Sequence, residues 1–136
     1  MNAGDVRLGQ QLPEVSVDVT PTLVIAGALA SRDYQDVHHD RDLARSNGAK
    51  DIFMNILTTN GFVGRFVTDW AGPDAVLEKV SIRLGAPNYP GDRMRMTGSV
   101  TAVDDGRVEV EVRGANSLGD HVVGTVSLRL PAGGLI

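Results

Sequence analysis

At 136 residues and 14.4 kDa the chain has room for one domain of ordinary size and one hydrophobic core. Apolar residues make up 42% and charged residues 22%, the balance of a globular protein, and a formal charge of -4 offers no basic stripe for a nucleic-acid backbone. The absence of cysteine excludes disulfides and thiolate chemistry, and no apolar run nears the ~20 residues of a spanning helix, so a cytoplasmic protein without a membrane partner is expected.

A polar entry segment leads to Thr22-Leu-Val-Ile-Ala-Gly-Ala-Leu-Ala30, an apolar run that reads as a strand. It delivers a charged stretch, Ser31 to Arg45, that holds most of the reactive side chains. From Asp51 to Trp70, Ile52, Ile56, Thr59, Val63, Phe66 and Trp70 recur at spacings of three and four, the helical period, and Phe53, Leu57, Phe62 and Val67 widen the apolar surface. The segment is expected to be a mostly buried helix of roughly 30 Å. Gly61 and Gly64 within it each cost about 1 kcal/mol against alanine, a penalty that close backbone packing is expected to offset.

Beyond the helix the pattern changes to period two. Val80, Ile82 and Leu84 alternate with polar residues, followed by Met94, Met96, Gly98, Val100 and Ala102, then Val108, Val110 and Val112. A last strand places Val122, Gly124, Val126, Leu128 and Leu130 on one face. Pro90-Gly91-Asp92 and Asp104-Asp105-Gly106 supply turn chemistry, and Asn116 to Asp120 a looser connection. One strand, one long helix and four alternating strands predict an α+β class: a single domain over residues 1–136 in which a five-stranded antiparallel sheet wraps around the central helix, the hot-dog architecture. A ferredoxin-like fold needs a second helix among the later strands, and Val76 to Leu130 has no room for one.

Three segments resemble motifs of the MaoC-like hydratases. Ser31-Arg-Asp-Tyr-Gln-Asp-Val-His38 is similar to the hydratase signature, in which an Asp and a His stand five apart over the helix. Pro87-Asn-Tyr-Pro-Gly-Asp92, with Gly98 and Val100 after it, and Asn116-Ser-Leu-Gly-Asp-His-Val-Val-Gly124 look like the family's later turns and last hairpin. More narrowly, the segments from Arg32 to Asp42 and from Lys50 to Thr58 resemble the small MaoC-domain subunits of actinobacterial steroid side-chain enoyl-CoA hydratases. The chain departs from the common pattern at Gln35-Asp36, where the family has Asn-Pro, and at Met54-Asn55, where it has His-Gly.

The resemblance implies hydration of a 2-enoyl-CoA thioester by syn addition of water, with a bulky steroid side-chain acyl group, in a hetero-oligomer with a second MaoC-domain subunit. Coenzyme A would arrive as part of the substrate, with no separate cofactor and no metal. Asp33 and His38 are the implied catalytic pair, both hydrogen-bonded to one water, and either can be the base. The enolate oxygen needs N–H donors at the start of the central helix, and alignment to the family's glycine makes the backbone N–H of Asn55 the candidate. Loss of the Asn55 side chain is then expected to cost less than loss of Asp33 or His38.

On spacing alone, an Asp and a His in a charged loop are ordinary solvated residues. Arg32, Arg41 and Arg65 are candidates for coenzyme A phosphates and equally ordinary surface charges. His38-His39-Asp40 with Asp36 suggests a metal site only in an all-helical setting that this chain lacks. His39 and Asp40 read as loop or capping residues, His121 as a surface residue beside a hairpin, and Met94 and Met96 as core. Three alternatives stand: a homodimeric (R)-specific enoyl-CoA hydratase for fatty acyl groups, a non-catalytic acyl-CoA-binding or scaffold subunit, and a thioesterase on the same fold.

Overall fold

The computed structural model describes residues 1–133. Helices α1 (Pro21–Ala30), α2 (Arg41–Ser46) and α3 (Ile56–Ala71) accompany strands β1 (Val15–Asp18), β2 (Val76–Leu84), β3 (Arg93–Asp104), β4 (Arg107–Asn116) and β5 (Gly119–Arg129). The strands form one antiparallel sheet in the order β1-β3-β4-β5-β2, so the α+β class and the five-stranded sheet agree with the sequence reading.

Period-two burial is cleanest in the central strands. Met94, Met96 and Val100 of β3, Val108, Val110 and Val112 of β4, and Val122, Val126 and Leu128 of β5 turn inward and pack against Val63, Phe66, Val67 and Ala71 of α3. Burying each such aliphatic side chain contributes about 1.5–3 kcal/mol. The expected alternation fails at Ala102, which is exposed, because the β3–β4 register shifts between Val100 and Ala102. The tight turn of that hairpin holds Asp105 and Gly106 at φ of 45° and 81°, the left-handed pair that an Asp-Gly sequence favours.

Two expected boundaries are corrected. The apolar run Thr22 to Ala30 is helix α1, not the first strand, which is Val15–Asp18 and pairs with β3. A short apolar run carries no period to separate helix from strand; the overlooked cue is Thr20-Pro21, where the Thr20 hydroxyl accepts from Leu23 N–H and proline occupies the first turn. The central helix starts at Ile56, not Asp51, and its 16 residues span about 24 Å. Ile52 and Met54 are buried, but in a second cluster with Val19, Val24 and Ala44, under α1 and α2. Ile52 mimicked a helical position, four before Ile56, because the preceding segment also needs buried anchors.

The glycines of α3 are likewise not where the close packing occurs. A Cβ at Gly61 would meet open space, and one at Gly64 only ordinary contact with Leu77 and Val80. Close approach falls instead at Gly27 of α1, where a Cβ would collide with the Thr58 side chain of α3. That contact seats α1 across the first turn of α3.

α1 closes by turning Arg32 into the left-handed region, at φ 56°. Arg32 N–H donates to Leu29 O at 3.1 Å and Asp33 N–H to Ala28 O at 2.9 Å, the paired bonds of a Schellman cap. This closure sets where Asp33 leaves the helix. A non-glycine residue there costs about 1–2 kcal/mol, against about 0.4–1 kcal/mol of unfolded-chain entropy that glycine would add. Arg32→Gly should therefore raise the unfolding free energy by up to about 1 kcal/mol, seen as a higher denaturant midpoint, and Arg32→Val should lower it.

Candidate active site

The Schellman cap ends with Asp33, whose Oδ1 accepts from Gln35 N–H at 3.3 Å. A 3-10 turn, Asp36–His38, brings the chain back so that His38 is buried with its Nε2 3.3 Å from Asp33 Oδ2. His38 Nδ1 lies 2.7 Å from Phe53 O. A carbonyl only accepts, so Nδ1 carries a proton and the neutral ring presents a lone pair at Nε2. The edge of the Phe53 ring, 5.0 Å away between centroids, restrains the imidazole further. With the ring neutral, Asp33 Oδ2 and His38 Nε2 are two acceptors side by side.

Asn55 is the N-cap of α3 and is 1% exposed. Its Oδ1 accepts from Thr58 N–H at 3.2 Å, while its Nδ2 donates to Ser31 Oγ at 2.9 Å and to Asp33 Oδ2 at 3.1 Å. The backbone N–H groups of Asn55 and Ile56 have no acceptor among the described residues and lie at the positive end of α3. Met54, just before them, is held by its N–H to Asn88 O at 3.1 Å; the buried Asn88 side chain in turn accepts from Asn116 at 2.8 Å.

Asp33, His38, Asn55 and Ile56 share one cleft of about 470 Å³, walled on its far side by Leu84, Gly85, Ala86, Pro87 and His121. Ligand sites commonly run from roughly 300 to 1,000 Å³. The cleft combines apolar walls with a few converging polar groups, the composition of a site that orients one reactive centre.

His121 is corrected from a surface residue to a buried wall of this cleft, 2% exposed. The hairpin register turns it inward at the start of β5: Nδ1 lies 2.7 Å from Ala86 O and Nε2 2.8 Å from the Thr59 hydroxyl. A histidine near a loop carries no periodic signal of its own; continuing the alternation back from Val122 by hairpin geometry would have been needed. Asp40 caps α2 by accepting from Leu43 N–H, as read from the sequence, and Met94 and Met96 are core.

None of the three arginine candidates lines the cleft. Arg32 is exposed, and Arg65 pairs with Asp69 at 3.3 Å on a separate groove between α1 and α3. Arg41 pairs with Asp51 at 2.8 Å, and its hydrogen bond is the main reason the Asp51 carboxyl is held below the ordinary range. Among the described residues no group of three His, Asp or Glu side chains is arranged to hold a metal ion, and no helix is long and apolar enough to cross a membrane.

A family model described as the MaoC like domain matches residues 6–121, which include Asp33, His38 and Asn55. The chain belongs to the MaoC-like domain family. It is 53% identical over 123 residues to the 3-oxo-4,17-pregnadiene-20-carboxyl-CoA hydratase beta subunit of Mycobacterium tuberculosis, covering 90% of this chain and 95% of that one. A chain in the crystal structure of the ChsH1-ChsH2 complex from the same organism superposes with a TM-score of 0.91 at 52% identity, over 92% of this chain and 98% of that one. The (R)-hydratase PhaJ1 of Pseudomonas aeruginosa shares the hot-dog fold, with a TM-score of 0.86 at 20% identity over 97% of this chain and 86% of that one. The likeness to steroid side-chain hydratase subunits, read from the Asp33 and Asn55 segments, thus extends over nearly the whole chain of this MaoC-like protein.

Burial is the main influence on His121 and pushes its pKa below the ordinary imidazole value, while the bond to Ala86 acts in the opposite direction. A folded-state pKa below the unfolded one means that the unfolded chain takes up the proton first on acidification. His121's contribution to stability is therefore complete above about pH 6.5 and is lost as pH falls from there toward its folded value. Melting midpoints recorded between pH 8 and 5 should decline through that window, and His121→Gln should flatten the decline.

Proposed function

We propose that this MaoC-like chain is the catalytic subunit of an enoyl-CoA hydratase, adding water across a trans-2-enoyl thioester with Asp33 and His38 as the catalytic residues. The observation that carries the reading is the approach of Asp33 Oδ2 and His38 Nε2 to 3.3 Å beside the N–H groups of Asn55 and Ile56, which have no acceptor among the described residues. A water seated against both acceptors donates its two protons and directs an oxygen lone pair outward. As that oxygen bonds to Cβ, one water proton passes to the dyad and the alkene electrons move through Cα to the thioester oxygen. The N–H groups of Asn55 and Ile56 stabilise the resulting enolate. The enolate re-forms the carbonyl by taking the proton from the dyad at Cα, on the face where water entered. Net addition of H and OH is syn, and both acceptors return to their starting state.

His38 is the better base of the two, because its lone pair is already aimed by the Phe53 carbonyl and the charge it gains is balanced by Asp33. No cofactor is required, and coenzyme A enters as part of the substrate. The acyl group proposed is the bulky steroid side-chain thioester, on the strength of the relative at 53% identity whose name carries 3-oxo-4,17-pregnadiene-20-carboxyl-CoA. The partner proposed is a second MaoC-domain subunit. The cleft is bordered by exposed Ile56 and Leu84, 51% and 38% accessible, and edge strand β2 has no fully buried residue along its length. Such apolar borders and an unpaired strand edge are what a partner subunit covers.

Co-expression with a MaoC-domain partner, followed by assay on 3-oxo-4,17-pregnadiene-20-carboxyl-CoA and on crotonyl-CoA, tests the assignment. Co-purification with faster hydration of the steroid thioester is expected. Full activity of the chain alone, as a homodimer on crotonyl-CoA, would remove the heteromer and steroid clauses; release of free coenzyme A from a saturated thioester would replace hydration with hydrolysis. In the active assembly, Asp33→Asn and His38→Ala should each lower kcat by about 10²–10⁴-fold.

The oxyanion donors have a separate test. Ile56 stands at the first position of α3, after a residue with φ -79° and ψ 160°, a setting that accepts proline without disturbing the helix. Ile56→Pro deletes one N–H and should lower kcat by about 10²-fold, whereas Ile56→Ala, which keeps it, should not.

A further inference from the structure

We infer that the side chain of Asn55, and not only its backbone, belongs to the working site as a positioning residue that holds the Asp33 carboxylate in register with His38. This rests on the hydratase reading above and reverses the expectation that the Asn55 side chain is the less important part of the residue. Every hydrogen-bonding position of the amide is committed. Oδ1 faces the Thr58 N–H and hydroxyl, so the amide oxygen is the atom that must lie on that side. Nδ2 is thereby turned toward Ser31 Oγ and Asp33 Oδ2. The Ser31 hydroxyl spends its single proton on the Gly27 carbonyl at 2.7 Å, which leaves its oxygen as an acceptor for Asn55. The reverse orientation would set the amide oxygen against a carboxylate and leave a helix N–H unpaired in a buried place.

The contact is selective within the carboxylate. Asn55 reaches Oδ2, the oxygen that faces His38 Nε2 at 3.3 Å, while Oδ1 is held from the other side by Gln35 N–H. Two donors on different elements thus set both oxygens, and the one from α3 is rigid because it is also the helix cap. Asp33 leaves α1 in an exposed loop of Arg32, Tyr34, Gln35 and Asp36. Without the Asn55 donor its carboxylate has, among the described residues, one backbone N–H to prevent rotation away from the shared water.

Capping and positioning are separable by one substitution. Asn55→Asp keeps an acceptor for Thr58 N–H, so α3 retains its cap, but it replaces the donor facing Asp33 with a second carboxylate oxygen. The experiment has two readouts on the complex with its MaoC-domain partner: the position of the Asp33 side chain in crystal structures, and turnover of 3-oxo-4,17-pregnadiene-20-carboxyl-CoA. Expected are an unchanged α3, an Asp33 carboxylate displaced from His38, and a fall of about 100-fold in kcat with KM within about threefold. In an Asp33→Asn background the same substitution should cost little more, since the group it positions is already gone. An Asp33 carboxylate that stays beside His38 in the variant overturns the inference whatever the turnover, and so does a displaced carboxylate with unchanged kcat. Turnover that survives Asp33→Asn itself would instead bring down the hydratase reading, which the single variant distinguishes from failure of this assignment.

Discussion

The buried amide of Asn55 lies where three separate requirements of the fold meet. It closes the N-terminus of α3, it ties the end of α1 to that terminus through Ser31, and it touches the carboxylate on which the proposed chemistry depends. A buried amide with all of its donors and acceptors satisfied has one low-energy orientation, because any rotation leaves a polar group dry and unpaired. That single orientation carries geometric information from the scaffold into the site. Much of the surrounding structure serves to keep the amide in place: the Thr58 seat on Gly27, and the Asn88 bond to Met54 that sets the chain just before the cap.

The molecule separates its stability from its chemistry. The large core lies between the sheet and α3 and is almost wholly aliphatic, as befits a chain with 4% aromatic residues. The smaller cluster of Val19, Val24, Ala44, Ile52 and Met54 holds the segments that bear Asp33, His38 and Asn55. A loop of this kind would otherwise be mobile, since few residues between Ser31 and Asp51 are buried. Anchoring it on its own apolar patch allows the candidate site side chains to be placed accurately beside an open cleft. The same hot-dog scaffold occurs at 20% identity in PhaJ1.

The cleft is finished on one side and open on the other. Its inner wall contains His121, locked between Ala86 and Thr59, which fastens the chain after β2 to the first turns of α3. Its outer border presents Ile56 and Leu84 to solvent beside an edge strand. An acyl group of steroid size would gain burial on that side only from another subunit, which connects the shape of the cleft to the proposal of a two-subunit hydratase.

Period-two alternation and a long apolar helix were enough to predict the class, the strand count and the inward faces of β3, β4 and β5, because side-chain direction along regular backbone follows from local geometry. Asp33 and His38 were singled out by their resemblance to the hydratase signature, since the spacing alone is ordinary for a charged loop; the fold brings the two side chains to 3.3 Å. Irregular backbone was not legible. Thr22 to Ala30 is apolar on all sides and suits either periodicity, so the local mark of a helix was confined to the Thr20-Pro21 cap before it, and packing on α3 through Gly27 completes the solution. Ile52 joined the helical pattern by coincidence of spacing, since its burial partner is the cluster under α1 and not the sheet. The inward turn of His121 and the two-sided use of Asn55 depend on contacts between residues separated by 62 and 22 positions. Such contacts are decided by how the elements pack, and no local rule relates their members. The sequence by itself determined the elements that repeat and offered a candidate pair close in the chain; tertiary structure alone decided which polar groups hold that pair in place, because their hydrogen bonds exist only once distant segments have been brought to the same buried corner.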